Sequence, residues 1–212
     1  MTKQELAAIC IARLKAEYPD SDCTLDYDHA WQLLVSVRLA AQCTDARVNV
    51  VVQELFAKYP GVKELAAADP ADIEAIVKPC GLGHSKARDI SACMRMLHDR
   101  YDCHVPDDFN ALLALPGVGR KTANLILGDV YHTPGVVVAD THCIRITGRL
   151  GLTDGTKDPA KVEEQLRPIL PPEESNDFCH RMVLHGRAVC MARKPDCPNC
   201  TLRPWCDFYT KS

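Results

Sequence analysis

The chain has no basic surplus, no long apolar run, no low-complexity stretch and almost no β-like patterning. Its 25 Lys and Arg face 28 Asp and Glu, for a formal net charge of −3. Overall charge therefore supplies no electrostatic footprint for nucleic acid, and such a partner must be met by a local basic face. No run of about 18 apolar residues exists, which argues against a membrane span. Residues 1–18 intersperse Lys3, Glu5, Arg13 and Lys15 among apolar positions. That leaves no uninterrupted apolar core for a secretory signal, so the expected location is the cytoplasm. Apolar residues occur throughout, which argues against disorder. Val136-Val137-Val138 is the one β-like run, too short and isolated to build a sheet.

What is present is helical. The 212 residues, 47% hydrophobic and 25% charged, suffice for one good core or two small ones. Trp31, Leu34 and Val35 share a face after an expected cap at Asp28. Val48, Val51, Val52, Leu55 and Phe56 repeat at three and four after Thr44. Asp69-Pro70 and Asp158-Pro159 read as a cap followed by a first-turn proline. Ser85 to Tyr101 carries Ile90, Cys93, Met94 and Leu97 on one side, and Ser175 to Cys190 reads similarly through Phe178, Met182 and Val183. The fold class expected is all-α, with around ten short helices and no long linker.

Twelve cysteines in such a chain point to reduced thiols or a metal centre rather than a disulfide framework. Eight are scattered singly and read as small buried apolar residues. The other four form Cys190-x6-Cys197-x2-Cys200-x5-Cys206. A short loop can wrap four thiols around one centre, and thiolates suit an iron–sulfur cluster or zinc. One close pair with two longer arms tilts toward a four-iron cluster without settling it. Between Gly186 and Ser212 five basic residues (Arg187, Arg193, Lys194, Arg203, Lys211) stand against Asp196 and Asp207. Arg193, Lys194 and Arg203 are candidate phosphate contacts.

Leu115-Pro116-Gly117-Val118-Gly119-Arg120-Lys121-Thr122-Ala123 is the second strong feature. Leu112, Leu113 and Leu115 end one apolar helix, Pro116-Gly117 stops it, and Gly119 opens the next. Two glycines let the backbone turn tightly and approach a partner closely. Unpaired amides at the start of the second helix suit a phosphate. The pattern reads as a helix–hairpin–helix, a sequence-independent clamp on the DNA backbone with Gly117, Val118, Gly119 and Arg120 at the contact, the alternative being a plain helix-to-helix turn. Lys121 falls in the first turn of the second helix, where the dipole disfavours a cation. It reads either as an imine-forming nucleophile or as a phosphate-contacting lysine. Some twenty residues on, Val138-Ala139-Asp140-Thr141-His142 leads from the apolar run into another helix. Asp140 reads as an N-cap, a role that does not exclude catalysis. His142 reads as structural on its own.

Together these motifs, with Leu184-His185-Gly186-Arg187, resemble the endonuclease III family over nearly the whole chain. The resemblance implies a [4Fe–4S] cluster on Cys190, Cys197, Cys200 and Cys206. It implies two helical domains with a DNA cleft between them. Residues 23–133 would be a six-helix barrel holding the hairpin (about 108–128). Residues 1–22 plus 134–212 would be the cluster domain, with its loop at 190–206. By the same resemblance, Lys121 attacks C1′ of a damaged nucleotide and Asp140 assists and stabilises charge on the sugar. A Schiff base and β-elimination follow. Base flipping is required, and Gln42 and Leu82 are the candidate residues to fill the gap, with His142 among the DNA contacts. The implied partner is double-stranded DNA bearing an oxidised pyrimidine or an abasic site, bound by a monomer, with no membrane. Gly83-His84 stands where relatives carry a bulkier residue and an amide, which leaves the damage spectrum open. The competing readings are a monofunctional mismatch glycosylase, against which Lys121 and the short length argue, and a non-catalytic DNA-binding iron–sulfur module.

Overall fold

The computed structural model describes residues 1–210 and is helical throughout, with no strand among them. Twelve α-helices are joined by short turns, among them four of 3-10 type. They fall into two compact units, one of residues 1–22 and 132–212, the other of residues 23–131. Helix α1 (Lys3–Glu17) opens the first unit. The second holds α2 (Ala30–Ala40), α3 (Asp45–Lys58), α4 (Val62–Ala67), α5 (Pro70–Val77), α6 (Gly83–Tyr101), α7 (Phe109–Ala114) and α8 (Arg120–Asp129). The chain then returns to the first unit with α9 (Thr141–Leu150), α10 (Pro159–Leu166), α11 (Ser175–Ala188) and α12 (Asp207–Thr210). The short α4 and α12 carry the total past the ten expected, because helices this brief show little periodicity in sequence. None of the helices is long and apolar enough to cross a membrane.

In the second unit α6 lies along α4 and α5, while α2 packs on α3, α6 and α8. Its core is a set of fully buried aliphatics: Leu33, Leu39, Leu55, Leu65, Ile73, Met94, Leu97 and Leu112. The 3.6-residue repeat puts Ile90, Cys93, Met94 and Leu97 on the inner face of α6. In the first unit α11 packs on α9 and α1, with Phe178, Met182 and Leu14 buried among them.

Helix starts follow local cap chemistry where the sequence supplies it. The Asp69 and Asp158 carboxylates accept from Ala71 and Ala160 amides at 2.9 Å, each with proline in the first turn. Thr44 caps α3 through the Arg47 amide. Asp28 does not cap α2. The cap is His29, and the Gln32 side chain reaches back to accept from the Asp28 and His29 amides at 2.7 and 2.9 Å. A glutamine at the third helical position thus closes the cap from the helix side, on the amides that precede the first turn. Helix α6 begins two residues before Ser85, because Leu82 at its cap takes a left-handed conformation. Val136, Val137 and Val138 are buried but form no strand. The Val138 amide donates to Cys179 Sγ at 3.3 Å, so a thiol stands in for a ladder partner.

The packing makes a direct contrast at the hairpin's first helix, where Leu112 is fully buried and Leu113 is 39% exposed. Leu112→Ala is expected to cost about 2–5 kcal/mol and Leu113→Ala under about 1 kcal/mol. Denaturant midpoints of the two variants check this, and equal midpoints would contradict the assignment of faces.

Candidate functional site

The hairpin forms as its glycines require. The Leu115 carbonyl accepts from the Val118 amide at 3.1 Å, and Gly117 turns the chain at φ +75°. A Cβ at Gly117 would stand 3.0 Å from the Asp89 Cβ and 3.3 Å from the Arg38 Cδ. Those two side chains form a bidentate pair, Arg38 Nε and Nη2 on Asp89 Oδ2 at 3.0 and 2.8 Å. The pair anchors the turn from below. Gly119 caps α8 without a side-chain hydrogen bond, and a Cβ there would meet open space. The first amides of α8 therefore face a clear approach, which suits an anion. Arg120 lies over the Phe109 ring at 5.0 Å and ties the start of α8 to that of α7. Lys121 follows in the first turn and is exposed.

Gln42 and Leu82 share two properties in this unit. Both are exposed, Leu82 by 55%, and both hold left-handed backbone, at φ +57° and +51°. Such conformations cost a non-glycine residue free energy and persist where the surroundings impose them. One agent of that imposition is Lys86, which sequence reasoning passed over. Its side chain is fully buried, and Nζ donates to the Leu39 and Cys80 carbonyls at 2.8 Å each. It thereby ties the end of α2, before Gln42, to the turn before Leu82. Burial lowers its pKa, the two cysteines at Cys80 and Cys43 acting the other way. The signal was its position: Lys86 continues the buried stripe of Ile90, Cys93, Met94 and Leu97 at helical spacing.

Asp140 lies in the other unit, at the cap of α9, with Oδ1 accepting from the Cys143 amide at 2.7 Å. The reading as a cap is thus met, and the carboxylate is held in one orientation. His142 accepts at Nδ1 from Arg145 Nη2 at 3.1 Å. Gly186 of α11 makes room for this pair, since a Cβ there would collide with the His142 ring. That accounts for the glycine of the Leu-His-Gly-Arg motif in packing terms.

Cys190, Cys197, Cys200 and Cys206 line one cavity together with Arg149, Arg203, Phe208 and Tyr209. No three His, Cys, Asp or Glu side chains among the described residues converge closely enough to hold a single metal ion. The four thiols surround this cavity. Burial pushes the Cys200 and Cys206 thiols up, and the neighbouring cysteines add to it. A cationic centre would relieve that repulsion by taking the thiols as thiolates. The loop has little else inside it: between 190 and 206 only Leu202 is buried. Two arginines one helical turn apart on α9 hold it from outside. Arg145 donates to the Cys190 carbonyl, and Arg149 donates to Cys190 Sγ at 3.2 Å and to the Met191 and Ala192 carbonyls. His185, buried at 1% exposure, places Nε2 3.5 Å from Cys200 Sγ. Arg193 and Lys194 are exposed on the loop, and Arg203 stacks over Tyr209 at 5.5 Å.

A family model described as HhH-GPD superfamily base excision DNA repair protein matches residues 35–172. Endonuclease III of Synechocystis sp. is 41% identical over 205 residues, 97% of this chain and 93% of the relative. Endonuclease III of Escherichia coli is 37% identical over 204 residues, 95% of this chain and 94% of the relative. A solved structure of a trapped endonuclease III–DNA covalent intermediate, in an estranged-adenine complex, superposes with a TM-score of 0.92 at 38% identity. It covers all of this chain, and 98% of that chain is matched.

The two hairpin glycines differ in what replacement should do. Gly117→Ala forces a side chain into left-handed backbone against the Arg38–Asp89 pair, for a cost of about 1–3 kcal/mol. Gly119→Ala enters open space, and its weaker capping and stiffer unfolded chain offset to within about 0.5 kcal/mol. Thermal denaturation of both variants measures the difference, and a larger loss at Gly119 would contradict this account of the turn.

Proposed function

Because this chain belongs to the HhH-GPD superfamily of base excision DNA repair proteins, we propose that it is a bifunctional DNA glycosylase and abasic-site lyase in which Lys121 is the nucleophile and Asp140 the assisting carboxylate. The observation that carries the assignment of roles is the first turn of α8. An exposed lysine follows an uncapped Gly-Val-Gly turn whose amides are open to a phosphate. A backbone phosphate received there would bring the sugar of the same nucleotide within a lysine's reach.

The substrate proposed is double-stranded DNA carrying an oxidised pyrimidine or an abasic site, bound by a monomer. The target nucleotide leaves the stack before chemistry, because C1′ is shielded within the duplex. Leu82 and Gln42, exposed on imposed left-handed turns, fill the space left behind. Lys121 Nζ then forms a bond to C1′ as the bond from C1′ to the base breaks, the electron pair leaving with the base. Asp140 faces the positive charge that develops on the sugar, and its bond to the Cys143 amide holds it in place for this. Nζ gives up a proton, and its lone pair forms the C=N bond as the C1′–O4′ bond breaks and O4′ takes up a proton. Loss of a proton from C2′ then breaks the C3′–O bond and expels the 3′ phosphate. Gly117, Val118, Gly119 and Arg120 grip the backbone, with His142, Arg193 and Lys194 as further contacts. Cys190, Cys197, Cys200 and Cys206 would hold a [4Fe–4S] cluster. Bound, that cluster supplies a covalent cross-link among four points of a loop with almost no core of its own.

Borohydride trapping on a thymine-glycol duplex, with an abasic-site duplex alongside, tests the mechanism. A covalent adduct is expected on both, and Lys121→Ala should abolish it while keeping the fold. No adduct with either duplex would reduce Lys121 to a phosphate contact. An adduct on the abasic duplex alone would keep the lyase and reassign the base. Asp140→Asn is expected to slow base release on the order of 10²-fold or more, by removing charge stabilisation in the transition state. Single-turnover rates measure this, and an unchanged rate would remove Asp140 from the chemistry.

A further inference from the structure

Two cysteines stand at the bases of the loops that carry Gln42 and Leu82. Cys43 directly follows Gln42, and Cys80 lies in the 3-10 turn Lys78–Cys80 just before Gly81-Leu82. Both are free thiols, Cys43 half-buried and Cys80 at 2% exposure, and their side chains interact, the Cys43 thiol raising that of Cys80. The Lys86 ammonium holds the backbone on both sides of the pair, through the Leu39 and Cys80 carbonyls at 2.8 Å. The two turns are thus fixed close together, with adjoining sulfurs and a cation beside them. Burial and the neighbouring Cys43 push Cys80 up to about 11, with Lys86 and Arg47 acting in the opposite direction. The other adjoining pair, Cys143 and Cys179, is buried on both sides at 0% and 3% exposure, out of an oxidant's reach. Cys43 differs because one side of it meets solvent.

We propose that Cys43 and Cys80 form a reversible disulfide under peroxide, a modification site that links the two DNA-inserting turns and switches base excision off. The Cys43 sulfur attacks one oxygen of hydrogen peroxide. An S–O bond forms, the O–O bond breaks, and the departing hydroxide leaves as water with the thiol proton. The Cys80 sulfur then attacks the Cys43 sulfur. An S–S bond forms, the S–O bond breaks, and the second hydroxide leaves as water with the Cys80 proton. Two thiols and one peroxide give one disulfide and two waters, and a dithiol reductant reverses it by exchange. Closing the bond draws the two sulfurs from non-bonded contact to bonding distance and so shifts the turns that carry Gln42 and Leu82 from the positions in which Lys86 holds them. That consequence rests on Gln42 and Leu82 inserting into DNA, whereas the bond itself does not.

The test treats the intact holoenzyme with hydrogen peroxide, blocks remaining thiols by alkylation and maps peptides by mass spectrometry. The expected product is one cross-linked peptide joining Cys43 to Cys80, lighter by two hydrogens and released by dithiothreitol. Base excision from the thymine-glycol duplex is expected to fall roughly 10- to 10²-fold on oxidation and to recover on reduction. Cys80→Ser under the same peroxide should keep its rate, and because it shares the cluster loop it separates this effect from damage there. Cys43 carried on to sulfinic acid with no cross-link, or a bridge between other cysteines only, overturns the site. A cross-link with an unchanged excision rate overturns the switch. An enzyme inactive on both duplexes before treatment defeats the glycosylase reading, while the peptide map still decides whether the bond forms.

Discussion

Backbone amides at the start of an α-helix have no partner within the helix, and this constraint recurs at the candidate positions of the hairpin, of Asp140 and of Leu82. Asp140 satisfies the first turn of α9 with its carboxylate and is thereby fixed. Gly119 leaves the first turn of α8 unsatisfied by any side chain, which keeps those amides for a ligand. Leu82 is itself the cap residue of α6, and Gln42 stands two residues before the Thr44 cap of α3. These donors are met by a carboxylate at α9 and by the Thr44 hydroxyl at α3 and left without a side-chain partner at α8 and α6, with Gln42 and Leu82 exposed on left-handed backbone beside the starts of α3 and α6.

The opposite orphans, carbonyls at helix ends and in loops, are met by long cations. Lys86 serves Leu39 and Cys80, and Arg145 and Arg149 serve the start of the cysteine loop. Arg181, 2% exposed, reaches the Tyr18 carbonyl and the carboxylates of Glu174 and Asp177. Arg38 is taken up by Asp89. These cations act inside the protein, so a net charge of −3 says little about the field a ligand meets. What matters is which charges remain outside, and Lys121, Arg193 and Lys194 are among them.

Legibility in the sequence follows the range of the forces involved. Asp69-Pro70, Asp158-Pro159 and Thr44 could be read as helix starts because a cap is made by residues within three of one another. The hairpin was legible for the same reason: its turn is written in Gly117 and Gly119. Asp28 stands one residue before the cap, His29, and its own amide, with that of His29, is taken by Gln32 from inside the helix. The left-handed turns at Gln42 and Leu82 could not be read from residue type, since neither residue favours them. Lys86, 44 and 4 residues away, ties the chain near both through the Leu39 and Cys80 carbonyls, contacts that residue type at the turns does not encode. Lys86 was half-legible: its helical phase placed it in the core, while its charge pointed outward.

The cysteine loop shows what burial alone cannot do. Hydrophobic stabilisation scales with apolar area removed from water, and between 190 and 206 a single leucine supplies it. Short 3-10 turns at Cys197–Asn199 and Arg203–Trp205 contribute few backbone bonds. Little apolar burial therefore offsets the backbone entropy lost on ordering this segment. A segment with this ledger holds its shape when covalent or coordinate bonds close it, and four thiols around one cavity are the groups available to do so. The exposed Arg193 and Lys194 ride on that loop, so their placement depends on the same closure.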